Sequence, residues 1–189
     1  MINKRNSSCS GFSLAEILIT VAILGILSTI AVNVSVSEAD RAKVNTAQIA
    51  LAGWLQLVQR SALLQKSLQT NQGGCTVNFT SAFANQGNGT QIASVSPAAC
   101  APNSSILLDI PNLGSSSLST SFTAQSIIFT PRGTISSDAE SPITEIRFLI
   151  SRSSLLRCIR ISGLVGVIEI GSRGSGSTLS DECTDYTRI

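Results

Sequence analysis

The feature that most constrains this chain is an uncharged apolar run near the N-terminus, at residues 17–37. These 21 residues are enough for an α-helix to cross the hydrocarbon core of a bilayer, which is about 30 Å thick. Lys4 and Arg5 precede the run, and basic residues favour the cytoplasmic side of a membrane. We therefore expect a single-pass anchor with the rest of the chain outside the cytoplasm.

A secretory signal peptide that is removed from the mature protein is the alternative interpretation of this run. Such a peptide has a shorter apolar core, followed by a small-x-small cleavage site. Here the apolar run passes directly into a segment with helical periodicity. An anchor that is retained in the mature protein is therefore favoured.

Glu16 stands at the N-terminal edge of the run and does not fit an ordinary anchor. A carboxylate inside hydrocarbon costs a few kcal/mol, so it must lie near the interface or be paired. One interpretation is a glutamate at headgroup level, which the helix dipole favours near a helix start. The other is a carboxylate that pairs with a cation on another chain.

Composition excludes several classes of chemistry. The chain contains no histidine, which removes Ser-His-Asp and Cys-His nucleophilic sites and HExxH metal sites. It also shows no GxSxG motif and no clustered carboxylates, so a membrane-anchored surface enzyme is disfavoured. Charged residues are 13% and aromatic residues 4%, with a formal net charge of +2, which argues against a polyanion-binding surface. We expect no enzymatic activity, no cofactor and no metal.

The apolar run continues into an amphipathic stretch. Apolar residues recur there at spacings of three and four, namely Val44, Ala47, Leu51, Leu55, Val58 and Ala62. Polar residues, Gln48 and Gln59 among them, are assigned to the other faces. The pattern predicts one helix from Phe12 to about Gln69, ended by the sequence NQGG at 71–74. A membrane helix followed by a separate core helix is the alternative.

From Cys75 onward the pattern changes to short strands and loops. Strands are predicted at residues 76–80, 105–110, 126–130, 143–152, 155–161 and 167–170. Ile146, Phe148 and Ile150 alternate and predict one inward face, and Ser153-Ser154 predicts a hairpin turn. Residues 85–89 and 114–117 are predicted as exposed loops. The fold class is therefore α+β, a long N-terminal helix packed on an antiparallel β-rich domain.

Four cysteines, Cys75, Cys100, Cys158 and Cys183, follow the apolar run, in what we expect to be an oxidising space. They allow three pairings, and we favour Cys75–Cys100 with Cys158–Cys183, each closing a loop of about 25 residues. A zinc site built from all four is the alternative, although no CxxC is present.

The sequence GFSLAE at 11–16, followed by the apolar run, resembles the N-terminal signature of type IV pilins and type II secretion pseudopilins. The resemblance implies that a prepilin peptidase cuts between Gly11 and Phe12 and N-methylates the new amine of Phe12. It implies that Glu16 attracts the Phe12 amine of a neighbouring subunit in a filament. The sequence departs mildly from the usual form, with Ser13 in place of threonine and Ala15 in place of a frequent isoleucine.

The domain organisation follows from these patterns and from the resemblance. The resemblance implies that residues 1–11 are a prepilin leader, which includes Cys9, and we expect residues 12–37 to form the transmembrane and assembly half of the helix. Residues 38–72 form the amphipathic half, and residues 73–189 form the β-rich head.

A second resemblance lies in the head. Four segments resemble the C-terminal pattern of GspH/FimT minor pilins, namely IFTPRG at 128–133, IRF at 146–148, CIRIS at 158–162 and GVI at 166–168. This resemblance implies a β-rich pilin head and a minor pilin or pseudopilin of a type IV pilus or type II secretion filament. The implied partners are prepilin peptidase, other pilin or pseudopilin subunits and the bacterial inner membrane.

A DNA-binding minor pilin for natural transformation is the alternative function. Some FimT-like pilins bind DNA through a G-R-x-R motif near the C-terminus. This chain lacks that motif, and seven acidic residues balance the seven arginines after Pro131. DNA binding is therefore disfavoured as the function.

Overall fold

A computed structural model describes residues 13–64, 74–80, 83–110, 118–136, 145–163, 165–174 and 176–189, without the side chains at 31–34 and 83–86. Its contacts divide the chain into two compact units, with the boundary between Ala39 and Asp40. Two expected boundaries lie outside the described residues: the end of the leader between residues 11 and 12, and the start of the head between residues 72 and 73. The amphipathic part of the helix and the β-sheets belong to the same unit.

One α-helix, α1, covers Leu14–Leu64. In its second part the six residues of the predicted apolar stripe are all buried, from Val44 to Ala62, which confirms the periodicity. Ala52 and Trp54 are buried as well. The predicted end near Gln69 lies outside the described residues, and so do the first three residues of the stop signal at 71–74.

Eleven strands are seen in the described residues. They are β1 (Cys75–Phe79), β2 (Phe83–Gln86), β3 (Gln91–Ser96), β4 (Ser105–Leu107), β5 (Leu118–Phe122), β6 (Ser126–Phe129), β7 (Ile135–Ser136), β8 (Glu145–Arg152), β9 (Leu155–Ser162), β10 (Val167–Arg173) and β11 (Asp185–Arg188). We call sheet A the order β4-β3-β1-β6-β7 and sheet B the order β11-β10-β9-β8-β5-β2. Every strand pair is antiparallel, and the fold is α+β as the sequence predicts.

The core lies between the helix and the inner faces of the sheets. Ile146, Phe148 and Ile150 alternate along β8 and are each at most 2% exposed, which confirms the predicted inward face. Phe148 stacks with Phe122 of sheet B at 5.9 Å between ring centroids and meets Phe79 of sheet A at 5.6 Å. The two sheets therefore share one aromatic cluster.

The predicted hairpin between β8 and β9 is confirmed. Ser153 and Ser154 form its turn with φ of 48° and 62°, the left-handed values that a two-residue type I′ turn needs at both positions. The residues Pro131, Arg132 and Gly133 form the turn between β6 and β7. Gly133 has a φ of 78°, which explains a glycine at this position.

Several short polar strands differ from the prediction. Strands β2, β3, β5, β7 and β11 were not predicted, and Asn85 and Gln86, expected in an exposed loop, belong to β2. The turn is confined to residues 87–89, after β2 ends. These strands are rich in Ser, Thr, Asn and Gln, so their alternation of apolar and polar residues is weak. The other predicted loop, at 114–117, lies outside the described residues.

Two disulfides link the cysteine pairs that the sequence analysis favoured. Cys75 at the start of β1 is bonded to Cys100, with a Cα–Cα distance of 5.8 Å. Cys158 of β9 is bonded to Cys183, which precedes β11, with a Cα–Cα distance of 6.1 Å. The second bond lies in a small outer cluster with Leu156 and ties the C-terminal strand to the middle of sheet B.

Polar contacts join the helix to sheet B. Gln48, predicted on a polar face, is instead only 5% exposed, and its Nε2 donates to the carbonyl oxygens of Cys158 at 2.7 Å and Gly171 at 2.8 Å. Gln48 is buried because two strand carbonyls face the helix at this level and need a hydrogen-bond donor. Further along the helix, Gln59 donates to the Gly166 carbonyl at 2.9 Å.

Asp40 makes the contact nearest the start of this unit. Its carboxylate accepts hydrogen bonds from Arg152 Nε at 2.7 Å and Ser153 Oγ at 2.6 Å, at the β8–β9 turn. Burial opposes ionisation of Asp40, but the bonds from Ser153 and Arg152, together with the charges of Arg152 and Lys43, outweigh it and lower its pKa. The folded state therefore favours the ionised carboxylate.

Replacing Asp40 by Asn should lower the free energy of unfolding by about 1–2 kcal/mol at pH 7, since the hydrogen bonds from Arg152 and Ser153 then lose their charged acceptor. A lowered carboxyl pKa stabilises the fold above its unfolded value and loses that effect as the pH falls through the folded value. The gap between wild type and D40N should therefore shrink below about pH 4. Urea unfolding of the detergent-solubilised chain between pH 7 and pH 3 measures this difference in the free energy of unfolding.

The exposed Asp109 provides the matched control, because Asp109→Asn removes a carboxylate that forms no ion pair with the described residues. A D40N difference that stays constant from pH 7 to pH 3 would contradict the assignment of stability to the ionised carboxylate.

Candidate functional site

The helix begins immediately after Ser13. The Ser13 carbonyl accepts hydrogen bonds from the backbone amides of Glu16 at 3.0 Å and Ile17 at 3.2 Å, which closes the first turn. Glu16 lies in this first turn with its side chain exposed. A negative charge at this end interacts favourably with the helix dipole. Gly11 and Phe12, the residues of the expected cleavage site, lie outside the described residues.

The side chains that follow form an apolar surface on all sides of the helix. Between Leu14 and Ile30, every large aliphatic residue is more than half exposed, with values from 52% at Ile23 to 79% at Leu14. A helix that is apolar all round is suited to hydrocarbon or to a bundle of other helices, and not to water. By length and composition α1 can cross a membrane, and its apolar window is unburied within its own unit.

The hydroxyl groups on this surface donate to the helix backbone. Thr20 donates to the Ile17 carbonyl at 2.8 Å, Ser28 to the Leu24 carbonyl at 2.8 Å and Thr29 to the Ile26 carbonyl at 2.7 Å. Hydrocarbon offers no hydrogen-bond partner, so each polar group in it must find one inside its own segment. These hydroxyls therefore do not oppose burial of the helix in lipid.

Glu16 is the exception in this segment. It carries the only charge in the sequence from Ser13 to Ser37, and the other side chains between Leu14 and Ile30 are apolar or bonded within the helix. A carboxylate in such a position needs either water or a cation from outside its own segment.

The comparisons with known proteins agree with these features. Residues 6–32 match the family model described as the prokaryotic N-terminal methylation motif. The motif indicates a type IV pilin-like protein that is processed as a prepilin. No curated protein and no solved structure matches the chain. The matched segment includes Gly11, Phe12 and Glu16 and ends within the apolar part of α1.

The outer face of sheet B is the next surface of interest, because it carries several arginines. Arg147 pairs with Glu145 and Glu182, and hydrogen bonds to these carboxylates raise its pKa. Arg160 pairs with Glu169 at 2.6 Å. These arginines are neutralised by neighbouring carboxylates, so they do not form a cationic stripe.

The C-terminal strand covers part of this face. The Tyr186 ring lies 3.8 Å from the Arg160 guanidinium carbon, and burial raises the pKa of its hydroxyl. Gly171 permits this packing, because a Cβ there would come within 2.8 Å of two Tyr186 ring carbons. A glycine inside a strand pattern is the sequence signal for such a close approach.

The sequence alone did not identify Gln48, Asp40 and Gly171 as residues that join the helix and the strands of sheet B. Gln48 lies four residues after Val44 and three before Leu51, so its place in the apolar stripe was the available signal. Asp40 gave no such signal, because its partners Arg152 and Ser153 are more than a hundred positions away.

The described residues show little that resembles a catalytic or metal centre. Among them no group of three or more histidine, cysteine, aspartate or glutamate side chains could hold a metal ion. A groove beside β4 is lined by Ile49, Trp54, Leu107 and neighbouring polar residues, with Asp109 as its one ionisable group. A single carboxylate there provides no acid and base pair.

Replacing Ile23 by Arg should weaken membrane integration, because a cation at the middle of the apolar segment costs about 3 kcal/mol. The fraction of the protein that resists alkaline carbonate extraction from membranes measures the effect. Ile49→Arg is the matched control, since Ile49 is also exposed on α1, at 63%, but lies beyond the apolar run. Equal extraction of I23R and I49R would contradict membrane insertion of residues 17–37.

Proposed function

We propose that the protein is a minor pilin or pseudopilin, a non-enzymatic structural subunit of a type IV pilus or a type II secretion filament. The observation that carries the proposal is the coincidence of the methylation motif at residues 6–32 with a helix that is apolar all round. Glu16 stands in the first turn of that helix as its one charge before Glu38. This combination is suited to storage in a membrane and burial in a bundle of like helices.

In this scheme the precursor is held in the bacterial inner membrane with residues 1–11 on the cytoplasmic side. A prepilin peptidase hydrolyses the peptide bond between Gly11 and Phe12 and methylates the amine that this cut creates on Phe12. Glycine before the cut leaves the backbone open to a protease. The cut converts a neutral amide into a cationic N-terminus four residues before Glu16.

Assembly would then bring two opposite charges together. The Phe12 amine of one subunit and Glu16 of its neighbour neutralise each other, which reduces the cost of burying either in a filament core. The exposed aliphatic residues between Leu14 and Ile30 exchange lipid contacts for contacts with neighbouring helices. The ion pair would set the axial register that non-directional apolar contacts leave open.

The assignment to the GspH/FimT type of minor pilin rests on the resemblance in the head. The turn at Pro131–Gly133 and strands β8, β9 and β10 give that sequence pattern a local structural basis. DNA binding is the alternative, and the carboxylate partners of Arg147 and Arg160 weigh against it. The structural role is therefore the favoured proposal.

Replacing Gly11 by Leu should block processing, because a branched side chain obstructs the peptidase next to the scissile bond. We expect only the precursor when the variant is expressed together with a prepilin peptidase, as measured by intact mass. Gly25→Leu is the control, since a Cβ at Gly25 has no neighbour within 4 Å and should leave cleavage unchanged. Appearance of the shorter product in cells without the peptidase would overturn the proposal.

Replacing Glu16 by Gln should leave cleavage at Gly11–Phe12 intact and reduce filament incorporation by about tenfold or more, because a buried amine loses its counter-charge. Incorporation is measured as the share of the subunit in sheared filaments. Asp109→Asn is the charge-removal control in the head and should assemble normally. Normal incorporation of E16Q would refute the charge-pairing step and leave the cleavage proposal standing.

A further inference from the structure

Asn88 and Gly89 form the only Asn-Gly pair in the sequence, and both residues are exposed. They lie in the turn between β2 and β3, where Gly89 has a φ of 81°. Glycine carries no side chain, so the backbone nitrogen that follows Asn88 can approach the carbon of its side-chain amide, Cγ, without steric hindrance. Because water also reaches the pair, sequence and exposure together provide the reactants for loss of the side-chain amide.

The reaction is an intramolecular ring closure followed by hydrolysis. The Gly89 nitrogen loses its proton to a solvent base and attacks Asn88 Cγ, which forms a new C–N bond and expels the side-chain nitrogen as ammonia. Water then opens the cyclic imide at either of its carbonyl groups and gives aspartate or isoaspartate. The net change consumes a water molecule and releases ammonia, so it requires no oxidant, metal or enzyme.

In the folded chain, hydrogen bonds hold both reacting groups. The Gly89 amide donates to the Leu108 carbonyl oxygen at 2.7 Å, so its proton is not available to solvent. Asn88 Oδ1 accepts from the Ile110 amide at 2.9 Å, which fixes the side chain. The Leu108 amide in turn donates to the Thr90 carbonyl oxygen at 2.7 Å. Three bonds therefore close the turn, and each of them has one partner in Leu108 or Ile110.

These bonds depend on the docking of β4. This strand has three residues, lies at an edge of sheet A and pairs there with β3 in an irregular register. Short edge strands open more easily than central ones, because fewer bonds and buried side chains hold them. Leu108 and Ile110, each 2% exposed, anchor the chain after the strand. When β4 and this segment leave the sheet, Asn88 and Gly89 lose their partners in the same event.

We propose that Asn88 is a deamidation site that the folded head protects and that the opening of β4 exposes. An aspartate at this position can still accept a hydrogen bond from the Ile110 amide. An isoaspartate does not keep the same turn, because its backbone passes through the former side chain and is one carbon longer. The segment after β4 then has no matching partner at which to dock again. Opening of β4 thus leaves a permanent chemical change in the chain.

The test measures the rate of deamidation at Asn88 in the detergent-solubilised full chain at pH 8, by peptide mass spectrometry. We expect this rate to be lower by about tenfold or more in the folded chain than in the same chain unfolded in urea. Asn78 is the internal control, because it is exposed on β1 as well but is followed by the bulky Phe79. Equal rates in the folded and unfolded chain would overturn the protection, and an unreactive Asn88 in urea would overturn the site itself.

Two leucine variants distinguish opening of β4 from unfolding of the whole head. Leu108→Ala removes an anchor of the segment after β4 and should raise the rate at Asn88 by about tenfold or more, because the segment docks less firmly. Leu118→Ala is the matched control, since Leu118 is also buried but lies on β5 of sheet B, and the rate should stay close to that of wild type. Equal acceleration in both variants would identify global unfolding as the cause and overturn the role of β4.

Hydrogen exchange of the wild-type chain gives a measurement that does not depend on how a variant folds. The amides of Gly89, Leu108 and Ile110 should exchange together, because one opening event releases all three. They should exchange faster, by about tenfold or more, than the amides of β1, the central strand of sheet A. Exchange of these three amides as slow as that of β1 would show that β4 opens only with the whole sheet, which would overturn the proposal.

Discussion

Hydrocarbon provides no hydrogen-bond partners, and this constraint governs the N-terminal part of α1. Its hydroxyls at Thr20, Ser28 and Thr29 all donate to carbonyls of the preceding turn. The aliphatic side chains cover every face, so no direction around the helix is specified by apolar contact alone. Directional information must therefore come from the few groups that cannot be satisfied internally, and Glu16 is the one charge among them.

Beyond Asp40 the same helix faces a different constraint, because one of its faces packs on the sheets, where strand carbonyls need hydrogen-bond donors. Gln48 shows how the fold meets it: a single amide serves two carbonyls from neighbouring strands, which an aliphatic residue would leave unsatisfied. Gly171 takes part twice, since its carbonyl faces Gln48 and its missing side chain admits Tyr186 on the opposite face. Helix, central strands and C-terminal strand thus meet at one residue.

Prediction from sequence succeeded where each residue carried the signal locally. The stripe from Val44 to Ala62 and the alternation along β8 have strong apolar periodicity, and both were recovered. Strands β5 and β11 are short and polar, and they pair with the longer strands β8 and β10. Their stability comes from contacts with residues that are distant in the sequence, so a short stretch of sequence does not predict these strands. Glu16 was identifiable because its signal, a lone charge beside an apolar run, is local as well.

The arginines of sheet B show why composition is a poor guide to an interaction surface. Seven acidic groups balance seven arginines after Pro131, which suggests uniform neutrality. The outer face follows that expectation, since Arg147 and Arg160 each form a salt bridge with a glutamate. The helix-facing side does not, because Arg157 donates there to neutral acceptors alone, namely Asn45 Oδ1 and the carbonyl oxygens of Leu156 and Arg173. A balanced total therefore hides a local excess, and the antiparallel register that separates the two faces determines where that excess lies.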